Sequence, residues 1–243
     1  MQTKCLDTKF EVIYKLFRGI IMMTYEGFRL NILKFWRVGL AKYRQSLLDC
    51  KDFTIISNNC WGGMIYESYN LPKKSPTIGL FFMAKDYIEF LSDLKGYING
   101  TLTFISPAKS RWKNIPQVSE DKNWGNYPVG ELTNGKNTIE VFFLHYNNEK
   151  EAKEKWNRRI KRINWDKLLI KFNDQNGCTE SDLNSYIKLP YKNKIFFTSK
   201  KWQIPESEYI RINQFPKCDY IKTSYEPFGK NKYIDITYII NHL

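Results

Sequence analysis

The stretch Phe53-Thr-Ile-Ile-Ser-Asn-Asn-Cys-Trp-Gly-Gly63 indicates the fold more clearly than any other part of the chain. Phe53 to Ile56 is a short, apolar, β-branched run, which is typical of a buried parallel strand. Ser57, Asn58 and Asn59 then interrupt the run with residues that favour turns and helix caps. A mixture of apolar and polar residues follows and predicts a helix. The stretch therefore predicts a strand, a turn and a helix, with the turn at the carboxyl edge of a sheet, where open α/β folds hold their sites.

Cys60 lies in this predicted turn and is a candidate nucleophile. Free backbone N–H groups and the positive end of the following helix should favour its thiolate. Glycines allow close approach of the backbone to a ligand, and amides donate hydrogen bonds to an oxyanion. The predicted oxyanion-binding and substrate-binding residues of this stretch are Ser57, Asn58, Asn59, Trp61, Gly62 and Gly63. The alternative is structural, because free cysteines are often only small buried hydrophobic side chains.

The composition narrows the class of protein. With 243 residues, the chain can bury one proper core. Its 38 basic and 25 acidic residues give a formal charge of +13, which suits nucleic acid, an anionic membrane or a phosphate-bearing substrate. The richness in Lys, Asn, Ile and Tyr is also what an AT-rich genome produces. Since no DNA-binding or RNA-binding signature is present, we do not expect a nucleic-acid partner.

The five cysteines are far apart in the sequence and include no CxxC pair. This spacing disfavours a zinc site and a disulfide framework, so we expect reduced thiols in a bacterial cytoplasm and no bound metal. The chain also lacks a GxxxxGK loop, a GxGxxG motif after a strand and a GxSxG elbow, which argues against the common nucleotide-binding and serine-hydrolase classes.

The N-terminal part, residues 1–51, is predicted to be a basic amphipathic helical extension. Charged residues interrupt its apolar stretches, so no run is long enough to span a membrane. Large aromatic side chains alternate with basic ones over residues 8–49, as in helices that lie on an anionic membrane surface. The alternative is packing on the domain, on a synthesis complex or on a second copy of the chain, which would make an oligomer.

Residues 52–243 are predicted to form a single α/β domain. Strands are expected at 77–82, 101–105, 138–144, 167–172 and 194–199, and helices at 84–97 and after Asn148 and Thr179. This alternation predicts a three-layer α/β fold with a mainly parallel sheet and flanking helices. The aromatic, irregular residues 200–243 are expected to cover the sheet.

His145 follows the predicted strand 138–144, and we expect it at the same sheet edge as Cys60. The chain has two histidines, and the other, His242, is next to the C-terminal residue. A Cys–His pair can act as nucleophile and general base in acyl transfer. Asp174, at the end of the following strand, is the predicted group that orients His145. A structural role for His145 is the alternative.

Arg159 and Arg162 end the helix that follows Asn148. Basic residues in a last turn are favourable for the helix dipole, so a solvated charged face explains them without any ligand. Contact with a phosphate or pyrophosphate group is the functional alternative.

Several segments resemble uncharacterised bacterial proteins encoded in capsule and exopolysaccharide loci. They are Ile55-Ile-Ser-Asn-Asn-Cys-Trp-Gly-Gly63, Ser75-Pro-Thr-Ile-Gly-Leu-Phe-Phe82, Tyr127-Pro-Val-Gly130, Ile139-Glu-Val-Phe-Phe-Leu-His-Tyr146, the helix with Trp156, and Tyr233-Ile-Asp-Ile236. The resemblance covers the chain from about residue 52 to its end.

Asn59-Cys60 and His145 also resemble the Cys–His pair of coenzyme A-binding, acyltransferase-like capsule proteins, although Trp61-Gly62-Gly63 departs from their pattern. Together the two resemblances imply a cytoplasmic or membrane-peripheral protein that acts on a sugar or polysaccharide precursor. The reaction they imply is acyl or acetyl transfer or ester hydrolysis, with a coenzyme A-type acyl donor. A non-catalytic module that binds glycan or nucleotide-sugar in a synthesis complex is the alternative.

Overall fold

A computed structural model describes residues 25–213, 218–224 and 226–243. In this part of the chain the strands are β1 (Thr54–Ser57), β2 (Thr101–Ile105), β3 (Val129–Thr133), β4 (Thr138–Phe142), β5 (Leu168–Asn173), β6 (Lys194–Thr198) and β7 (Ile210–Arg211). The α-helices are α1 (Tyr25–Gly39), α2 (Ala41–Ser46), α3 (Trp61–Ser68), α4 (Ala84–Ser92), α5 (Leu94–Ile98), α6 (Pro116–Ser119), α7 (Glu149–Ile160), α8 (Glu180–Lys188) and α9 (Ile236–Asn241). Short 3₁₀ helices span Pro107–Lys109 and Glu206–Glu208.

The central sheet is parallel and has the strand order β1-β5-β6-β7. Thr54 lies opposite Leu168, and Phe172 lies opposite Phe196. Because side chains alternate along each strand, Ile55 and Leu169 pack on one face while Ile170 and Phe172 pack on the other. Both faces are covered by apolar side chains, which is why the strands read as nearly continuous hydrophobic runs.

Helices cover the sheet on both faces and produce the predicted three-layer arrangement. One cluster of buried residues joins the sheet to α4, α7 and α8, and includes Tyr87, Phe90, Trp156 and Tyr186. The other cluster joins the opposite face to α3 and α9, and includes Trp61, Ile65 and Ile240. The predicted α/β class, with a mainly parallel sheet and flanking helices, is confirmed.

A second, antiparallel sheet contains β2, β3 and β4. It lies within the long connection between β1 and β5, together with the α4–α7 helices. The sequence did not indicate this sheet, because 101–105 and 138–144 were expected to alternate with helices around one parallel sheet. Strand direction depends on the pairing partner, and apolar periodicity along one strand carries no information on that partner.

Two local predictions were wrong. Residues 77–82 do not form a strand, because the chain turns at Gly79, whose φ is +78°, and only Phe81 makes a bridge, to Phe142. The single helix predicted at 84–97 is divided at Asp93, which has φ −140°. The Asp93 side chain accepts a hydrogen bond from the Gly96 N–H and so starts α5 as a new helix.

Helices α1 and α2 pack on the α/β domain. Arg37 in α1 forms an ion pair with Glu67 in α3 at 2.9 Å, and Arg44 in α2 donates to the Ser68 carbonyl at 3.1 Å. The part of the predicted N-terminal helix that precedes residue 25 lies outside the described residues. In the described part, no helix combines the length and apolarity needed to cross a membrane.

Candidate functional site

The turn after β1 carries Cys60 to the start of α3, as predicted. Cys60 is the N-cap residue of α3, and its N–H donates to Ser224 Oγ at 3.2 Å. The next N–H, of Trp61, donates to Asn59 Oδ1 at 3.1 Å. These two donors are therefore used within the protein. Gly62 and Gly63 have no acceptor for their N–H groups among the described residues, and both are closely packed, against Ile55 and Ile78 respectively.

A buried polar network lies beneath this turn. Lys171 of β5 and Glu226 of the C-terminal segment form an ion pair, and both side chains have an exposed fraction of 0%. Lys171 Nζ also donates to Asn59 Oδ1 at 2.9 Å and to Asn58 Oδ1 at 3.3 Å. Asn173 donates to the same Glu226 oxygen, Oε1, at 2.7 Å. We call Asn58, Asn59, Lys171, Asn173 and Glu226 the buried network.

Asn58 and Asn59 were predicted to bind an oxyanion, but their side-chain amides already form hydrogen bonds around the buried network. Asn58 Nδ2 donates to Asn173 Oδ1 at 2.7 Å, and Asn59 Nδ2 donates to Gln175 Oε1 at 2.7 Å. Ser57 is also turned inward, since its Oγ donates to Asn59 Oδ1 at 3.2 Å. The Trp61 indole N–H donates to the Pro227 carbonyl at 3.0 Å. These side chains hold the turn in position and have no contact directed toward an external oxyanion.

The network was missed from the sequence, although β5 contained a visible signal. Lys171 interrupts the otherwise apolar run from Leu168 to Phe172. A lysine inside a buried strand requires a partner, because burial of an unpaired charge is very unfavourable. Glu226 could not be identified as that partner, since it is 55 residues away in the sequence and lies in an irregular segment.

The environment of the Cys60 thiol differs from the one expected at a helix N-terminus. Burial, followed by the charge of Glu226, raises the pKa of Cys60 to about 11, while Lys171, Lys73 and the Gly79 backbone N–H act in the opposite direction. The prediction of a favoured thiolate was therefore wrong. At neutral pH the group is a protonated thiol, and its use as a nucleophile requires a base to remove the proton.

His145 approaches Cys60 by a route that the sequence did not indicate. It follows β4, which belongs to the antiparallel sheet and not to the parallel one. Its N–H donates to the carbonyl of Gly79 at 3.0 Å, so His145 lies against the turn that Gly79 makes before α4. Gly79 has φ +78° and its ideal Cβ position lies 3.2 Å from Tyr146 Cε2, so this turn favours a glycine. Gly79 thus fixes the backbone of His145 at the wall of a cavity that Cys60 also lines.

The His145 imidazole is exposed to solvent and uncharged at neutral pH. Partial burial lowers its pKa, and the positive charge of Lys73 lowers it further. A neutral imidazole can accept a proton, which is the property that a general base requires. Lys73 changes the pKa of both Cys60 and His145, which places all three side chains in one electrostatic environment.

Two adjoining cavities meet at Cys60, Met64 and His145, which line both of them. We call the first, of about 300 Å³, the basic cleft; its lining includes Arg37, Cys60, Gly63, Glu67, Lys73, Gly79, His145, Tyr146, Lys155 and Arg159. We call the second, of about 480 Å³, the amide cleft; its lining includes Asn59, Cys60, Gln117, Asp121, His145, Gln175, Asn176, Lys222, Thr223 and Ser224.

The structure brings Arg159 to this site, but not Arg162. Arg159 Nη1 donates to the Ile78 carbonyl at 3.0 Å and to Tyr146 Oη, so its guanidinium is fixed at the wall of the basic cleft. Arg162 is exposed and lines a different cavity, beside Asp52 and Lys74. Only one of the two arginines predicted for substrate binding therefore lies near Cys60.

Asp174 is placed away from His145 and has a structural role. Its carboxylate accepts hydrogen bonds from Thr198 Oγ1 at 2.7 Å, from the Ser199 N–H at 2.9 Å and from the Ile221 N–H at 2.7 Å. Burial raises the pKa of Asp174, and these donors partly offset that effect. Asp174 thus ties β6 to the C-terminal segment, and within the described residues it makes no hydrogen bond to His145.

Metal-binding geometry is absent from the described residues: they contain no group of three or more His, Cys, Asp or Glu side chains arranged to hold an ion. The side chains that line the two clefts supply a thiol, an imidazole, amides, hydroxyl groups, carboxylates and basic groups.

Comparison with known proteins identifies the family. A family model described as "Domain of unknown function (DUF1919)" matches residues 31–243. An "Uncharacterized protein" of Haemophilus influenzae is 32% identical over 216 residues, which are 88% of this chain and 95% of that protein. The match begins at residue 31, within α1, whereas the resemblance in the sequence was expected to begin near residue 52. The predicted membership of an uncharacterised bacterial family is confirmed: the chain belongs to the DUF1919 family.

Proposed function

We propose that this protein transfers an acyl group to, or removes one from, a hydroxyl group of a sugar precursor, with Cys60 as nucleophile and His145 as general base. One observation carries the proposal. Cys60 and His145 line the same two clefts, although they are distant in the sequence. A thiol and a neutral imidazole that line one cleft are the groups that thioester-forming acyl transfer needs.

The first half of the reaction forms a thioester. His145 removes the proton from Cys60 Sγ as the sulfur attacks the acyl carbonyl carbon, and the bond from that carbon to the leaving group breaks. The imidazolium then gives its proton to the leaving alcohol or thiol. The raised pKa of Cys60 makes this proton transfer necessary, because little thiolate exists before the substrate binds.

The second half transfers the acyl group to an acceptor hydroxyl group or to water. His145 removes the acceptor's proton as its oxygen attacks the thioester carbon, the C–S bond breaks, and the proton returns to the thiolate. The N–H groups of Gly62 and Gly63 are at the positive end of α3 and have no protein acceptor in the described residues. We propose these two groups as the oxyanion donors, in place of the side chains of Asn58 and Asn59.

The amide cleft supports a hydroxyl-rich acceptor. Gln117, Asn176, Thr223 and Ser224 line it with amide and hydroxyl groups, and Thr223 Oγ1 is buried without a hydrogen-bond partner in the described residues. Amides and hydroxyls both donate and accept, which suits the alternating donors and acceptors of a sugar ring. We propose a precursor of capsule or exopolysaccharide as the acceptor, a coenzyme A-type acyl donor and a cytoplasmic location.

Mass spectrometry after incubation with acetyl-coenzyme A or p-nitrophenyl acetate tests the catalytic claim. We expect an acetyl adduct on Cys60 in the wild type, no adduct on that site in Cys60→Ala, and much slower formation in His145→Gln. Cys50→Ala and His242→Gln are matched controls, because they remove the same side chains at positions that line neither cleft. Both should behave as the wild type.

A different result would favour the non-catalytic alternative. If Cys60→Ser folds normally and has no effect on surface-polysaccharide modification in cells, the enzyme proposal is overturned. The protein would then be a glycan-binding or nucleotide-sugar-binding module of a synthesis complex. Thermal unfolding of each variant shows whether a loss of modification is only a loss of folding.

We also propose that α1 and α2 contact an anionic membrane surface. Most of the large hydrophobic side chains that are exposed in the described part of the chain lie here: Ile32, Phe35, Trp36, Val38, Leu40, Tyr43 and Leu47. Lys34 and Lys42 are exposed among them. Aromatic side chains flanked by lysines match the chemistry of an anionic lipid interface.

Vesicle sedimentation tests this contact. We expect the full chain to sediment with phosphatidylglycerol vesicles, and a Phe35→Ser/Trp36→Ser variant to remain in the supernatant. Tyr238→Ser is the control, because Tyr238 is 61% exposed but lies in α9. Equal sedimentation of wild type and double variant, or self-association of the wild type without vesicle binding, would overturn the membrane proposal.

A further inference from the structure

The basic cleft contains more positive charge than its carboxylates neutralise. Arg37 is paired with Glu67 and Lys155 with Glu151. Lys73 and Arg159, in contrast, have no carboxylate partner within the described residues. Two cations beside the reacting thiol are therefore available to an anionic ligand.

Arg159 is already oriented for this purpose. Its Nη1 is held by the Ile78 carbonyl and Tyr146 Oη, while its Nη2 and Nε make no hydrogen bond to a described protein group. A guanidinium has five N–H donors in a rigid plane, and the donors left over match two oxygens of a phosphate. The fixed orientation means that little conformational entropy is lost when a ligand binds.

Lys73 lines the same cleft as Arg159. It is exposed, yet its charge lowers the pKa of both Cys60 and His145. A cation close to an imidazole is unfavourable for the imidazolium that acyl transfer requires. An anion bound between Lys73 and Arg159 would reduce that repulsion, so its binding would also make His145 a stronger base.

We propose that the basic cleft is a phosphate subsite, formed by Lys73 and Arg159, which binds the phosphate or pyrophosphate group of a substrate and places its reactive end at Cys60. This inference rests on the proposed acyl transfer for its substrate, but the subsite itself depends only on the charges of the cleft. The phosphate group can belong to a coenzyme A-type acyl donor or to a nucleotide-linked sugar. The two substrates then meet at Cys60 and His145 from opposite clefts.

Calorimetric titration with inorganic pyrophosphate tests the subsite. We expect binding to the wild type that is weakened about 10-fold or more in Arg159→Gln, because charge-assisted hydrogen bonds are lost. Arg158→Gln is the matched control, since this neighbouring arginine is exposed and lies outside the cleft lining. Equal weakening in the two variants would show general charge attraction and overturn the proposal, as would an absence of binding to the wild type.

A second variant, at Lys73, controls for misfolding of Arg159→Gln, because Arg159 also donates a hydrogen bond to Tyr146 Oη. Lys73 is exposed and makes no ion pair in the described part, so Lys73→Gln should fold normally and still bind pyrophosphate more weakly. In NMR titrations, the pKa of His145 should rise in Lys73→Gln and also when pyrophosphate is added to the wild type. An unchanged His145 pKa in both cases would contradict the proposed position of the anion.

Two further experiments are needed. The first distinguishes the possible sources of the phosphate group, and the second distinguishes the phosphate subsite from the proposed acyl transfer. Adenosine 3′,5′-bisphosphate that binds more tightly than uridine diphosphate indicates a coenzyme A-type donor, and the reverse order indicates a nucleotide-linked sugar; both support a phosphate subsite. Titration of Cys60→Ala should give the same pyrophosphate affinity as the wild type. Retained binding without any acylation of wild-type Cys60 would remove the enzyme proposal and leave the subsite intact.

Discussion

The surroundings of Cys60 differ on its two sides. Beneath it, the buried network is closed, and Lys171 has three polar acceptors within hydrogen-bond distance. Above it, the basic cleft is open, and its Arg159 and Lys73 have donors that the described protein groups do not use. A closed network sets the position of the turn, whereas an open one can respond to a ligand. The comparison indicates that the protein separates the support of Cys60 from the groups that act on its substrate.

The largest loss of stability should come from a substitution that breaks the buried network. Lys171→Met leaves Glu226 buried without its cation, and loss of one partner of a buried pair costs about 3–5 kcal/mol of the free energy of unfolding. Chemical denaturation measures this loss. Lys167→Met is the matched control, because it changes a half-buried lysine immediately before the same strand, and its stability should stay near that of the wild type.

A double variant sharpens the same point. Lys171→Met/Glu226→Met replaces the pair with apolar side chains and should regain part of the lost stability, although the Asn59 and Asn173 amides each lose one acceptor and keep only Gln175 Oε1. A single Lys171→Met variant as stable as the wild type would show that the buried network does not support the turn.

The reactivity of the Cys60 thiol, which lies between the buried network and the basic cleft, provides the next test. With a pKa of about 11 in place of the ordinary 9.0, Cys60 should contain about 100-fold less thiolate at pH 8 than an ordinary cysteine. Its alkylation by iodoacetamide should therefore be slow at pH 8 and should increase up to about pH 11. Intact-mass spectrometry measures the rate, with the unfolded chain as the reference. A rate that levels off below pH 9 would contradict a protonated resting thiol.

A smaller loss of stability is expected from a substitution at Gly79, which lines the basic cleft together with Cys60 and His145. Gly79→Ala places a Cβ in the left-handed region, at φ +78°, and 3.2 Å from Tyr146 Cε2. Backbone strain of this kind costs about 1–3 kcal/mol. Gly135→Ala, at φ +87° with no atom within 4 Å of its Cβ, has the same conformational cost without the contact.

The difference in thermal stability between these two variants isolates the close approach. Gly79→Ala should be the less stable of the two, and it should acylate Cys60 more slowly because His145 is displaced. If both variants lose the same stability and keep the same acylation rate, Gly79 does not set the position of His145.

Local sequence signals predicted the elements that depend on short-range order. The run Phe53–Ile56 and its turn residues indicated β1, Cys60 and the start of α3. Asn148 and Thr179 cap α7 and α8 as expected, and Thr179 forms a capping box with Asp182. These structures are decided by residues within one turn of each other, and so the sequence alone reveals them.

Contacts between segments that are distant in the sequence could not be predicted from such local signals. Cys60 and His145 were expected to lie together at a shared edge of a parallel sheet, whereas β4 is antiparallel and the two residues share only the lining of the clefts. Asp174 was expected to orient His145, yet its three short hydrogen bonds hold β6 and the C-terminal segment. Which polar partners a residue takes depends on segments that are distant in sequence.

By itself, the amino-acid sequence determined the α/β class, the strand, turn and helix around Cys60 and the excess of positive charge. The periodicity of apolar side chains and the preferences of capping residues are local properties, and they persist in any tertiary arrangement. Only the tertiary structure decided that Lys171 is neutralised by Glu226, that the Cys60 thiol stays protonated and that Lys73 and Arg159 share a cleft with it. Burial and the distances between charges control these properties, and both exist only after distant segments have packed together.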